Sequence, residues 1–186
     1  MTLRALALVH HPVLDRGGET VTTAITNLDL HDMSRSARTY GVKELFVVHP
    51  VAAQRLLAER IQSHWVSGSG KKRIPDRSLA LELLRIVSSI EEVYAALAGP
   101  EGRRGVTVWT TAASARSGPV TSYADARSML QQAPLPVLIL FGTGWGLARQ
   151  IVEDADLRLE PIQGASDYNH LSVRAACAIT LDRLLG

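Results

Sequence analysis

Three glycines at alternate positions, Gly142, Gly144 and Gly146, sit in the stretch LFGTGWGLARQ, directly after the apolar run PLPVLIL. Glycine at a strand end lets something approach the backbone closely. Here that is a nucleotide phosphate, a different cofactor, or only a neighbouring helix with no ligand at all. The dinucleotide fingerprint reads G-x-G-x-x-G, whereas this loop reads G-x-G-x-G. Glu160 falls close to where such a fold places its ribose-binding acid, so a nicotinamide- or flavin-binding protein is one reading. Against it, the chain after the loop has room for only one more strand and one more helix. No Gly-Lys-Ser/Thr follows the loop, which excludes a P-loop.

A second set of reactive side chains lies near residue 30. Leu30, Met33, Ala37 and Tyr40 recur at helical spacing and form an apolar stripe, with Arg35 on the opposite side near His31 and Arg38. A guanidinium there can clamp a phosphate through two parallel hydrogen bonds or steady charge on a base. The plainer alternative is an exposed ion pair to Asp32, three residues earlier. Asp29, Asp32 and Asp167 are candidate proton acceptors. His10 and His11 are adjacent on a strand and point to opposite faces, so a strand-end role is favoured over a shared metal. Cys177 is the single cysteine, which rules out an internal disulfide or a thiolate zinc cage. No metal is expected, and the reducing cytoplasm is the expected compartment.

The elements that must position these groups follow from pattern. With 186 residues, 46% hydrophobic and 20% charged, the chain is expected to be one domain, residues 1–186, with a core that needs no disulfides. Its net charge of +2 permits an anionic partner without requiring one. No targeting segment or membrane span is expected, since PLPVLILF is far too short to cross a bilayer. Strands are expected at Leu3–Val9, Glu44–Val48, Arg85–Ser88, Val106–Thr110, Val137–Phe141 and Leu157–Leu159. Helices are expected at Asn27–Tyr40, Ala52–His64, Leu79–Leu84, Glu91–Ala98, Tyr123–Gln131, Leu147–Glu153 and Leu171–Leu185. The alternation predicts an α/β fold, a mostly parallel sheet with helices on both faces and a ligand crevice beyond the carboxyl ends of the strands. The segment VLDRGGETV reads as a small hairpin, and Ser67 to Arg77 as a flexible basic loop in which Pro75 discourages helix. The last helix is apolar on nearly every side, so it needs a second subunit to cover it.

The combination LFGTGWGL…DLRLEPIQGASDYNHLSVRAACAI resembles the second and third motifs of the SPOUT class of RNA methyltransferases. The stretch TNLDLHDMSRSARTYGV resembles the first, with Arg35 and Gly41 at that motif's arginine and glycine. The likeness covers residues 26 to 48 and 105 to 186 and is nearest to a small stand-alone bacterial branch similar to tRNA guanine-N1 methyltransferases. Four positions depart from the SpoU branch: Gly142-Thr143 replaces its Asn-Glu, His170 its final-turn asparagine, and Asp29 its first-motif asparagine. Those residues serve ribose methylation there, so a base is the expected target here.

The resemblance implies a C-terminal trefoil knot, S-adenosylmethionine as cofactor, an RNA substrate (tRNA or rRNA) and a homodimer through the C-terminal helix. It implies cofactor contacts from Thr111 and Ala112, from Phe141, Gly142, Thr143, Gly144, Gly146 and Leu147, and from Ile162, Gly164, Tyr168, Asn169, His170, Leu171 and Ser172. Ile162, Leu171 and Trp145 would pad the adenine. Arg35, with Asp29 and Asp32, would serve the transfer itself. Lys71-Lys72-Arg73 with Arg77, and Arg103-Arg104, would face RNA or be solvated surface. A non-catalytic RNA-binding module on the same scaffold is the rival reading.

Overall fold

The computed structural model describes residues 3–111, 118–166 and 168–186. Six of its strands form one parallel sheet in the order β5-β4-β1-β7-β6-β8. These are β1 (Leu3–Val9), β4 (Glu44–Val48), β5 (Leu84–Val87), β6 (Thr107–Thr111), β7 (Val137–Gly142) and β8 (Leu157–Leu159). The expected hairpin is present as the antiparallel pair β2 (Val13–Leu14) and β3 (Thr20–Val21).

The central strands are near-continuously apolar because both faces of the sheet are covered, as parallel sheets require. Alternate side chains then feed two separate cores. Leu6 and Leu8 of β1, Leu45 and Val47 of β4, and Ile139 and Phe141 of β7 point into one core. Ala5, Ala7, Val9, Phe46, Val48, Leu138 and Leu140 point into the other. The register pairs Leu6 with Leu45 on one side and Ile139 on the other, so each layer is continuous across strands.

The first core is closed by α1 (Asn27–Thr39), α2 (Ala52–Val66), α4 (Pro75–Leu81), α6 (Tyr123–Gln132) and α8 (Val173–Leu185), with α3 (Ser69–Arg73) seated on α2. The second is closed by α5 (Ile90–Ala98) and α7 (Arg149–Glu153), with the 3₁₀ segment Gly99–Gly105 seated on α5. The stripe expected on α1 is real: Leu30, Met33 and Ala37 are fully buried. Thr26 caps that helix by accepting from the Asp29 amide, which supplies a partner for one of the orphan donors of its first turn.

Two expectations fail in one place. Residues 67–77, expected as a loop, contain α3 and the start of α4, and the helix expected at Leu79–Leu84 instead runs Pro75–Leu81. Pro75 starts α4, since a proline at the first helical position gives up an N–H that would have no partner anyway. Ile74 before it adopts a non-helical backbone, as a residue preceding proline should. Leu84 leaves the helix because it pairs with Leu45 and opens β5. Elsewhere boundaries move by a residue or two. Helix α8 starts at Val173 because the Ser172 hydroxyl caps it by accepting from the Ala175 amide. Helix α7 starts at Arg149 because Leu147 bridges to Val13 of the hairpin.

Candidate active site

A cavity of about 950 Å³ opens beyond the carboxyl ends of β1, β6 and β7, where α/β sheets place their ligands. The whole stretch 141–147 lines it, with Thr111, Ile162, the turn 169–172, and Thr23, Thr26 and Asp29 from the approach to α1. Most of the expected cofactor contacts are therefore brought together. Gly164 and Tyr168 do not line the cavity, and Ala112 and Asp167 lie outside the described residues. Trp145 and Leu171, expected as padding, stand at its rim with 50% and 46% of their surfaces exposed. The Trp145 ring meets His170 edge-on at 5.3 Å, and the Tyr168 ring also meets His170 edge-on at 5.3 Å.

The glycines have reasons different from the expected one. A Cβ on Gly142 would lie 2.5 Å from the Leu147 nitrogen, so this position is bare to let its own loop fold back. A Cβ on Gly144 would lie 2.8 Å from the Leu14 carbonyl oxygen, so that glycine admits the β2–β3 hairpin. The Leu14 amide donates to the Gly146 carbonyl and the Trp145 amide to the Leu14 carbonyl, which seats loop on hairpin. Only Gly146, at positive φ, has open space where a side chain would be. A neighbouring helix, the plain alternative, accounts for neither: Gly142 makes room for its own loop and Gly144 for the hairpin, and only Gly146 leaves a surface that a ligand can approach.

Beneath this loop runs a hydroxyl chain that sequence reasoning missed. Thr143 Oγ1 lies 3.2 Å from the Val9 carbonyl oxygen. A carbonyl can only accept, so Thr143 donates to it. Thr143 Oγ1 therefore accepts from the Thr23 hydroxyl, and Thr23 in turn accepts from His10 Nδ1–H at 3.0 Å. His49 is fixed in the opposite tautomer. Its Nδ1 accepts from the Val51 amide at 3.1 Å, and its Nε2–H donates to the Thr23 carbonyl at 2.9 Å. Both rings are neutral in this arrangement and lie 5.4 Å apart. Burial, helped by a smaller repulsion from His49 and opposed by attraction to Asp29, lowers the His10 pKa to about 4. His10 does sit at a strand end, as expected, but its partner is a threonine under the glycine loop. The signal available in the sequence was only a histidine closing an apolar strand.

Arg174 is the second residue sequence reasoning missed. From the first turn of α8 it reaches Asp29 Oδ1 at 3.1 Å and Asp32 Oδ2 at 3.4 Å, and it lines the cavity. The other oxygen of Asp29 accepts from the Thr26 hydroxyl at 2.6 Å. Asp29 is thus buried and fully engaged, a brace between α1 and α8 more than a free base. Asp32 sits beside it outside the cavity lining. Arg35 is exposed, lines no part of this cavity and makes no ion pair among the described residues, so the plain alternative of a bridge to Asp32 is also absent. Glu160 is occupied elsewhere: its Oε1 accepts from the Tyr123 amide at the start of α6, and Glu160 does not line the cavity. That removes the acid on which the nicotinamide reading rested. Among the described residues, no group of three or more His, Cys, Asp or Glu side chains is placed to hold a metal, and no helix is long and apolar enough to cross a membrane.

The model of a family of S-adenosylmethionine-dependent RNA methyltransferases matches residues 4–186. The chain belongs to that family. It is 40% identical over 180 residues to a protein of Aquifex aeolicus, covering 96% of this chain and 86% of that one. It is 42% identical over 180 residues to a tRNA (guanine-N1) methyltransferase of Oleidesulfovibrio alaskensis, covering 97% of this chain but only 41% of the relative. The chain thus spans less than half of that enzyme's length. Solved structures with the same fold include a probable methylase family protein of Haemophilus influenzae (TM-score 0.63, 16% identity, 98% of this chain and 64% of that one). Another is the SpoU methyltransferase AviRb of Streptomyces viridochromogenes in complex with AdoMet (TM-score 0.59, 18% identity, 99% of this chain and 57% of that one). The SPOUT-type α/β fold and the methyltransferase reading of the sequence therefore stand.

Proposed function

We propose that this chain, acting as one catalytic unit over residues 1–186, methylates a base of tRNA or rRNA with S-adenosylmethionine held in the cleft between the 141–147 loop and the 169–172 turn. The observation that supports this most is the convergence of those two segments, separated in sequence by α7 and β8, on one cavity. The lining suits the cofactor. Phe141, Leu147, Ile162 and Leu171 offer apolar walls for an adenine, Gly146 leaves its backbone open, and Asn169 and His170 supply polar edges. When bound, the cofactor supplies an electrophilic methyl group on a sulfonium.

The protein's part is to orient and to exclude water. The His10–Thr23–Thr143 chain holds the middle of the loop in place. Arg174 ties the start of α8, just after the 169–172 turn, to Asp29 and Asp32 of α1. We further propose that the C-terminal segment threads the glycine loop as a trefoil knot and that the chain works as a homodimer through α8. Arg35, which lies outside its own cleft, then reaches the target nucleotide across that dimer, and the compartment is the cytoplasm. One observation favours the rival reading, a non-catalytic RNA-binding module. Asp29 is the single carboxylate lining the cleft among the described residues, and both its oxygens are engaged. Multiple-turnover methylation by the purified protein separates the two, since a binding module gives RNA affinity with no transfer.

A further inference from the structure

Helix α1 carries the cleft on one side and a different surface on the other. Asp29 lines the cavity, while His31, two residues on, meets Trp65 of α2 edge-on at 5.3 Å. The Arg77 guanidinium lies over the Trp65 ring at 4.6 Å. Stacking holds the guanidinium flat without using its N–H groups, which stay available for an anion. Short helix α3 is pinned to the same ring, because a Cβ on its Gly70 would be 2.7 Å from Trp65 Cε3. Lys71, Lys72 and Arg73 follow that contact directly and are all exposed. Arg35, one turn after His31, extends the surface along α1. None of these cations is in an ion pair among the described residues, although Arg38, Arg85, Arg103, Arg149 and Arg174 all are.

We propose that this ledge, Arg35–Trp65–Arg77 with the Lys71–Arg73 turn, is the track on which substrate RNA lies as its target nucleotide enters the cleft of the second copy. The proposal rests on the methyltransferase reading. Unneutralised cations fixed to a rigid aromatic base match a phosphate backbone. They are held in place before binding, which lowers the ordering cost of docking. A disordered basic loop would lack that advantage.

The test measures three affinities on the same purified proteins, the third being sedimentation with phosphatidylserine vesicles. Fluorescence anisotropy with a fluorescein-labelled pool of unmodified tRNA transcripts reports the ledge, and calorimetry with S-adenosylhomocysteine reports the cleft. The exposed triple change Lys71→Gln, Lys72→Gln, Arg73→Gln should weaken RNA binding at least tenfold. It should also flatten the slope of log affinity against log salt by about 2 to 3. Arg77→Gln alone should weaken binding severalfold. Neither change should alter S-adenosylhomocysteine affinity. Charge removal across the sheet, Arg85→Gln with Arg149→Gln, should change RNA affinity less than twofold. Wild-type RNA affinity in the triple variant, or an equal loss in the control, overturns the ledge while leaving the cleft reading intact. Loss of binding to phosphatidylserine vesicles with RNA affinity unchanged would assign the face to a membrane and also overturn it. Failure of the wild-type protein to bind S-adenosylhomocysteine would instead overturn the methyltransferase reading.

Discussion

His10, fully buried, holds Thr143 of the glycine loop through the Thr23 hydroxyl. It donates from Nδ1 only, and its fully buried Nε2 has no hydrogen-bond partner among the described residues, so the protonated ring is disfavoured in the folded state. Between its ordinary pKa of 6.5 and the lowered value of about 4, the unfolded chain takes up a proton that the folded chain refuses. Stability is then complete above the ordinary pKa and falls as the pH drops towards the lowered one, by about 1 kcal/mol per pH unit from this residue. Burial lowers the pKa of His49 as well, which adds in the same direction. Thermal melts from neutral to mildly acidic pH should show this loss. His10→Asn, whose amide can donate to Thr23, should flatten the dependence while keeping cofactor binding, whereas His10→Phe should weaken that binding. Two arginines divide the remaining roles. Arg35→Ala should leave stability and S-adenosylhomocysteine affinity unchanged yet slow single-turnover methylation by about a hundredfold, the scale of losing one charge-stabilising group. Arg174→Met should cost about 1–2 kcal/mol of stability in urea unfolding. It strands the buried Asp29 carboxylate, while Arg174 itself is partly solvated. Arg35 is proposed from the sequence because it falls on a motif. The roles of Arg174 and His10 were not legible there, because their partners lie far from them in sequence.

At the scale of elements, the glycine loop and the turn into α8 can be tested separately. Gly144→Val places a side chain against the Leu14 carbonyl and forces a β-branched residue into positive φ. Both the hairpin contact and cofactor binding should therefore be lost. Gly146→Ala meets no atom within 4 Å. It should cost only backbone strain, on the order of 1 kcal/mol, with cofactor affinity falling more than stability. Equal loss of binding and stability in both variants, by calorimetry and melting, would contradict this division. The strands and most helices were legible because burial on both faces leaves a near-continuous apolar run in β1, β4 and β7. The segment at 67–77 was not, because glycine, serine and proline usually mark loops. Here Gly70 is bare to admit Trp65, and Pro75 occupies the helical position that tolerates it. The cleft was legible as segments. What the glycines admit was not, since Gly144 makes room for a hairpin from the other end of the chain.

For the whole molecule, α8 carries half-buried Ala175, Ala178 and Ile179 outside both the core and the cleft lining, and Leu28 on α1 is 60% exposed. A second copy covering these faces should give a light-scattering mass of twice 20.2 kDa at micromolar concentration. Ala178→Glu should shift it to the monomer value. A monomeric wild-type protein would remove the route by which Arg35 reaches a target. Everything else turns on what the assembled protein does to RNA. The most direct test is nucleoside mass spectrometry of unmodified tRNA and ribosomal RNA after incubation with purified protein and S-adenosylmethionine carrying a deuterated methyl group. The expected result is label in one nucleobase, lost in Arg35→Ala. Label on a ribose 2′-oxygen, or none in any RNA despite cofactor binding, would contradict it.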